Sequence, residues 1–140
     1  MPRVQTVLIV EDSYLLLEIV ASLCETQGVR VAEASTGEAA LTILRAQGAA
    51  IDWLFTDINL PGLIDGWSVA QAFRAIHPHG PVVYTSTEST RTDAAMRARG
   101  VPGSLFLRKP FQVREVEQVV RSMAQGRADR SARRSMRAAG

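Results

Sequence analysis

The sequence has one cysteine, two histidines and one lysine, and each shortage excludes a kind of site. The single cysteine, Cys24, cannot form an intrachain disulfide, and two histidines leave a Cys/His zinc site with too few ligands. No apolar stretch reaches the roughly 18 residues of a membrane-spanning helix. The N-terminus has no signal-peptide pattern. We therefore expect a cytoplasmic protein with no membrane contact.

Charge is unevenly distributed along the chain. The net charge of +2 comes from residues 125–140, which hold five arginines and one aspartate, whereas residues 1–124 are slightly acidic. The 125–140 stretch has no large aliphatic residue, so we predict one domain over 1–124 followed by a flexible, arginine-rich tail. The tail carries no aromatic residues between its arginines, and no DNA-binding domain is expected.

Apolar runs and amphipathic stretches alternate five times within residues 1–124. This alternation predicts right-handed βαβ crossovers and a parallel sheet covered by helices on both faces, an α/β fold. A capping box at Ser35 and Glu38 is expected to open the second helix, and the fourth helix has a mostly alanine apolar side. The predicted strands are Val4–Val10, Val29–Ala34, Ile51–Thr56, Pro81–Thr85 and Leu105–Arg108. The predicted helices are 13–27, 35–48, 66–76, 89–99 and a last one lined by Val113, Val116, Val120 and Met123.

Five polar residues follow or end these strands at the same end: Glu11, Asp12, Asp57, Ser86 and Lys109. Ligands bind beyond the carboxyl ends of the strands in open α/β sheets. Three carboxylates that crowd together repel unless a cation lies between them, and Mg²⁺ suits such oxygen ligands. A carboxylate can also accept a phosphoryl group, so Asp57 is the candidate nucleophile, with Lys109 and Ser86 as partners of the phosphoryl oxygens.

The same residues stand in motifs that resemble the bacterial response-regulator receiver domain, over roughly residues 4–124. The motifs are Val10-Glu11-Asp12-Ser13, Thr56 to Gly62, Asp65-Gly66, Pro81 to Ser86 and Lys109-Pro110-Phe111. The resemblance implies a flavodoxin-like, doubly wound (βα)5 fold with a five-stranded parallel sheet in the order 2-1-3-4-5. It also implies that Asp57 accepts phosphate from the phosphohistidine of a histidine kinase or a histidine phosphotransfer protein.

The resemblance further assigns roles to single residues. Asp12, Asp57 and the main-chain carbonyl of Asn59 would bind Mg²⁺, with Glu11 acting mostly through water. Ser86 would be the switch hydroxyl and Lys109 the phosphate partner. Phe106 matches the switch aromatic, and the Lys109-Pro110 bond matches the family's cis peptide. Independently of the resemblance, Trp67 is expected to be partly exposed near the site because it lies at the start of the third helix.

Three positions depart from the family's usual pattern. Glu11 replaces the commoner aspartate, and Ser86 stands where threonine is commoner. The stretch from Pro61 to Gly66 is one residue longer than usual, so the loop beside the site is expected to differ in shape.

We expect a stand-alone receiver that acts as a switch rather than a dedicated enzyme. Phosphorylation would change the face formed by the fourth helix, the fifth strand and the fifth helix, and thereby its affinity for a protein partner or a second copy of the chain. Two alternatives within the family are a phosphate shuttle or sink in a phosphorelay and a degenerate receiver that binds constitutively. A phosphatase of the haloacid-dehalogenase type is disfavoured, because its nucleophilic aspartate lies on the first strand and Asn59 cannot serve as its general acid.

Overall fold

A computed structural model describes residues 3–87 and 90–125 of the chain. The tail predicted for 125–140 therefore lies, except for Gln125, outside the described residues. The strands are β1 (Thr6–Val10), β2 (Arg30–Ala34), β3 (Trp53–Asp57), β4 (Val82–Ser86) and β5 (Leu105–Arg108). The helices are α1 (Tyr14–Thr26), α2 (Gly37–Gln47), α3 (Gly66–Ile76), α4 (Thr90–Arg99) and α5 (Val113–Ala124), with a 3-10 turn over Gly48–Ala50 after α2.

The five strands form one parallel sheet in the order β2-β1-β3-β4-β5, which confirms the predicted doubly wound fold. β1 and β3, which are central, are almost wholly buried, as is β4. Their continuous apolar runs follow from that position, because helices cover both faces of a parallel sheet. In register, Val10 lies beside Thr56, and Asp57 lies beside Thr85. The carboxyl ends of neighbouring strands therefore meet at one edge.

Alternating side chains of the strands build two separate cores. Leu8 and Leu54 point into the core under α2 and α3, where Phe73 is fully buried. Val7 and Phe55 point to the opposite face, into the core under α1 and α5. Because successive strand residues point to opposite faces, each buried strand contributes to both cores and holds the two helical layers in register.

Local signals place most element ends where they were predicted. Ser13 caps α1 by accepting a hydrogen bond from the amide of Leu16. At the other end of the helix, Gly28 follows the C-cap residue Gln27 and has a φ of 77°. Glycine adopts this left-handed conformation at little cost, which explains its position there. The third helix spans Gly66–Ile76, as predicted from the sequence.

Three expectations were wrong in detail. The cap of α2 is Thr36, whose hydroxyl accepts from the amide of Ala39, and not Ser35. Trp67 is buried, with 5% of its surface exposed, because its ring packs on Tyr84 rather than facing solvent. Val113, which was expected on the apolar face of the last helix, is half exposed because it is the first residue of α5 and lies at its rim.

None of the helices within the described residues is long and apolar enough to cross a lipid bilayer.

Candidate functional site

Backbone hydrogen bonds extend the sheet past the formal ends of its strands and fix the residues that follow them. The amide of Glu11 donates to the carbonyl of Ala34 at 3.0 Å, which continues the ladder between β1 and β2. At the other side of the site, the amide of Lys109 donates to the carbonyl of Ser86 at 2.8 Å. The polar residues at the strand ends are therefore held by the main chain before any side-chain contact is made.

Lys109 joins the two buried carboxylates of the site. Its ammonium donates to Glu11 Oε1 at 2.7 Å and to Asp57 Oδ2 at 2.8 Å. Glu11 has 2% and Asp57 has 6% of its surface exposed, so both ion pairs are shielded from water. The remaining oxygens also accept hydrogen bonds, Glu11 Oε2 from the amide of Ser13 and Asp57 Oδ1 from the amide of Asn59. Both carboxylates are thus held in single orientations.

The electrostatics of the pair follow from burial and from the single ammonium. Burial raises the pKa of Glu11, and neither the hydrogen bond from Lys109 nor that from Ser13 offsets this fully. Burial alone would lower the pKa of Lys109, but its hydrogen bonds to Asp57 and Glu11 outweigh that effect and raise the pKa above its ordinary value. One ammonium between two carboxylates is consequently held firmly in its charged form.

Asp12 completes an acidic cluster that fits a small divalent cation. One oxygen each of Glu11, Asp12 and Asp57 can be chosen so that all three lie within 4.8 Å of one another. Asp12 is exposed, whereas the other two carboxylates are buried, so the cluster opens to solvent on the Asp12 side. Carboxylate oxygens with access for water are the surroundings that Mg²⁺ favours. These three residues fit the predicted ion; the Asn59 carbonyl as a further ligand stays a prediction.

Ser86 and Asn59 face each other beside Asp57. The amide of the Asn59 side chain donates to Ser86 Oγ at 3.4 Å, a long bond, and Ser86 is buried with 2% of its surface exposed. Phe106 is partly buried and packs against the core under α2 and α3. The sequence-predicted residues Glu11, Asp12, Asp57, Asn59, Ser86 and Lys109 therefore come together at one edge of the sheet, with Phe106 on the neighbouring strand β5. The predicted cis peptide at Lys109-Pro110 is present.

The long loop after Asp57 is held in place by contacts with α2 and with the backbone that follows β3. Glu38, predicted to complete a capping box, instead accepts from the amide of Leu63 through its carboxylate at 3.0 Å. The amide of Gly66 donates to the carbonyl of Ile58 at 2.8 Å. A Cβ at Gly66 would overlap the main-chain carbonyl of Asp57, so only glycine lets α3 begin so close to Asp57.

Two residues near the site were not assigned a role from the sequence. Asp65 caps α3 by accepting from the amide of Ser68 at 2.9 Å, and Arg99, the last residue of α4, forms an ion pair with it. Burial tends to raise the pKa of Asp65, but the hydrogen bonds from Ser68 and Arg99 outweigh it and hold the pKa below the ordinary value. The Asp65-Gly66 motif gave a signal for the cap, whereas nothing in the sequence distinguished Arg99 from the other arginines.

Comparisons with known proteins agree with this geometry. The family profile described as the response regulator receiver domain matches residues 7–121. The chain is 30% identical over 121 residues to the sensor kinase CckA of Brucella abortus, with 84% of the chain but 12% of that protein covered. The chain therefore spans about an eighth of the length of this curated relative.

Two solved structures are similar over most of the chain. A response regulator receiver protein from Sinorhizobium medicae is 33% identical with a TM-score of 0.79, and the match covers 89% of this chain and 98% of that one. The chemotaxis response regulator CheY4 of Vibrio cholerae is 26% identical with a TM-score of 0.72, covering 86% of this chain and 99% of that one.

Proposed function

The chain belongs to the response regulator receiver domain family, and from this premise we propose that it is a phosphorylation switch whose acceptor is Asp57. The observation that carries the proposal is the position of Lys109, which joins the buried carboxylates of Glu11 and Asp57. This arrangement keeps a cation at the place where negative charge increases when a phosphoryl group arrives.

In the proposed reaction, a carboxylate oxygen of Asp57 attacks the phosphorus of a phosphohistidine. The new bond is P–O, the P–N bond breaks, and its electron pair stays on the imidazole nitrogen of the donor. The amide of Asn59 and the ammonium of Lys109 hold the carboxylate in place before the donor arrives, so little ordering is left for the reaction itself. Ser86, whose hydroxyl lies across from Asn59, would donate to a phosphoryl oxygen afterwards.

Glu11, Asp12 and Asp57 are the residues that would hold Mg²⁺ in this proposal. When bound, the ion would neutralise charge on the transferring phosphoryl group. Glu11, which is longer than the aspartate common at this position in the family, already bonds Lys109, so it serves to position the lysine as well as to line the metal site.

The proposed output is a change at the face formed by α4, β5 and α5. Phe106 on β5 is only partly buried and lies beside Tyr84 of β4, the strand that ends at Ser86. A movement of Ser86 toward a phosphoryl group would open space for this ring. We propose that the chain signals in this way to a protein partner, without being a dedicated enzyme.

Acetyl phosphate with Mg²⁺ tests the proposal directly. We expect intact-mass measurement to show one added phosphoryl group on the wild type and none on Asp57→Asn. The Asp12→Asn variant is expected to slow the addition, because it removes one of the three carboxylates while leaving the acceptor in place. Addition to wild type and to Asp57→Asn alike would refute Asp57 as the acceptor.

A phosphate shuttle is the second candidate, because the similarity to CckA covers a segment of a protein named as a sensor kinase. A shuttle would pass its phosphoryl group back to a histidine. Incubating the phosphorylated chain with a histidine phosphotransfer protein would distinguish it: transfer supports the shuttle, whereas loss to water alone supports a switch. A chain that binds partners equally well without any phosphoryl group would instead be a degenerate receiver.

A further inference from the structure

We propose that Arg99 is a positioning residue that ties the C-terminal end of α4 to the start of α3 in the unphosphorylated chain and thereby opposes phosphorylation of Asp57. Only the claim that Arg99 opposes phosphorylation rests on the proposed function. The claim that Arg99 holds the end of α4 to the start of α3, called the tie below, is tested without any phosphodonor.

Arg99 makes two kinds of contact with the first residues of α3. Its guanidinium donates to Asp65 through both terminal nitrogens, Nη1 to Oδ2 at 3.0 Å and Nη2 to Oδ1 at 3.5 Å. The same guanidinium lies 5.9 Å from the centre of the Trp67 ring. A planar guanidinium suits both contacts at once, since it pairs with a carboxylate along its edge and stacks on an aromatic ring with its face.

Few other contacts hold the part of α4 whose side chains the structure describes. Among its residues whose side chains are described, 94–99, only Ala95 and Met96 pack against a core. The two residues provide little apolar surface, so burial contributes little to holding residues 94–99 in place. Among these described residues, the contacts of Arg99 therefore carry a large share of what holds the last part of α4 in its position.

The tie reaches the acceptor and the switch strand through two short routes. Asp65 is followed by Gly66, whose amide donates to the carbonyl of Ile58, the residue after Asp57. The ring of Trp67 packs against that of Tyr84 of β4 in a tilted arrangement, with ring centres 4.8 Å apart. Arg99 thus joins α4 both to the backbone beside the acceptor and to the strand that ends in Ser86.

A hydrogen bond also holds the segment after α4 to Tyr84. The hydroxyl of Tyr84 accepts from the buried amide of Val101 at 3.2 Å. The end of α4 and the turn that leads to β5 are therefore both fixed to the Trp67–Tyr84 pair. Because Tyr84 lies on β4 and packs against Trp67, a movement of β4 toward a phosphoryl group would strain the contact of Arg99 with Trp67. A chain without the contacts of Arg99 would populate the shifted position of β4 more often and accept a phosphoryl group more readily.

Hydrogen exchange and phosphorylation rates test the two halves separately. In Arg99→Gln without phosphodonor, we expect amides of 94–101 to exchange roughly fivefold to tenfold faster than in wild type, the factor that an exposed ion pair and a cation–π contact together provide. With acetyl phosphate and Mg²⁺, we expect phosphorylation to be faster by a factor of the same order. Arg99→Lys keeps the positive charge but lacks the planar guanidinium, so its exchange and phosphorylation rates should fall between those of wild type and Arg99→Gln.

Arg97→Gln is the matched control, because Arg97 lies in the same last turn, is exposed, and has no ion pair with the described residues. It should change neither readout. Unchanged exchange in Arg99→Gln would overturn the tie. Faster exchange with an unchanged phosphorylation rate would reduce Arg99 to a structural residue and overturn its positioning role. A wild type that accepts no phosphoryl group would refute the proposed function instead, while the exchange data would still decide whether the tie exists.

Discussion

Replacing Lys109 with methionine removes the cation that lies between two buried carboxylates. The ammonium is 2.7 Å from Glu11 and 2.8 Å from Asp57, and the Lys109 side chain is itself only 12% exposed. Removing one partner of a buried ion pair typically costs about 3–5 kcal/mol, because the other charge is left without compensation. We expect a loss near the lower end, about 3 kcal/mol, because the exposed Asp12 side of the cluster admits water.

Urea unfolding followed by circular dichroism measures this loss. The expected signature is a lower midpoint with an unchanged slope, since the surface exposed on unfolding does not change. Arg108→Met is the control, because it removes the same charge from the neighbouring residue, which is exposed and forms no ion pair with the described part of the chain. Millimolar Mg²⁺ is expected to restore much of the stability of Lys109→Met, because it binds only the folded chain.

A double variant shows whether the loss has the stated cause. In a Glu11→Gln background one of the two carboxylates is already neutral, so Lys109→Met should cost clearly less there than in the wild type. Equal costs in the two backgrounds would refute the reasoning, because they would mean that packing of the lysine stem, and not its charge, stabilises the site. A loss of less than about 1 kcal/mol in the single variant would refute it as well.

Three further predictions follow from single contacts. Gly66→Ala should destabilise the chain by about 3 kcal/mol or more in urea unfolding, because the new Cβ meets the main-chain carbonyl of Asp57; a loss below about 1 kcal/mol would contradict this. Tyr84→Phe should cost about 1–2 kcal/mol, since it leaves the buried amide of Val101 without an acceptor, and the exchange rate of that amide should rise with it. The ion pairs raise the pKa of Lys109 above its ordinary value of 10.5, so its contribution to stability is complete below that pH and is lost as the pH rises through the folded pKa. The difference in unfolding free energy between wild type and Lys109→Met should therefore shrink only above about pH 10.5. A difference that stays constant with pH would show that the charge of Lys109 does not stabilise the fold.

Much of the fold was predictable because each strand ends in a local signal. Strand runs are bounded by acidic residues, by glycine or by proline, and the alternation of strands with helices leaves few topologies for a parallel sheet. The same property made the site predictable: chain order alone places Asp57 and Lys109 at strand ends, and the carboxyl ends of parallel strands share one edge.

Two of the three wrong predictions, the cap of α2 and the exposure of Trp67, share a different cause, because contacts distant in sequence decide them. Ser35 and Thr36 both suit a helix cap, and the sequence does not show that Glu38, the expected partner in the capping box, is instead bound to Leu63 in the loop after β3. The burial of Trp67 likewise depends on how α3 lies over Tyr84. Neither arrangement leaves a local pattern.

Arg99 was not predicted for a related reason. A charged residue at the end of a helix is usually solvated, and arginine is the common base of this chain. Its partners, Asp65 and Trp67, belong to the start of another helix, and Asp65 is 34 residues away from Arg99 in the sequence. Only the packing of α4 beside α3 reveals that the three side chains meet.

The ion pair between Lys109 and Glu11 joins residues that are 98 positions apart in the chain. During synthesis, the acidic pair after β1 leaves the ribosome long before β5 exists, so an incomplete chain carries the carboxylates without their ammonium. A chain truncated before β5, or one whose last strand has not yet joined the sheet, therefore lacks the contact between Lys109 and the two buried carboxylates. The ion pair therefore marks a chain whose last strand has joined the sheet, and an incomplete chain lacks it.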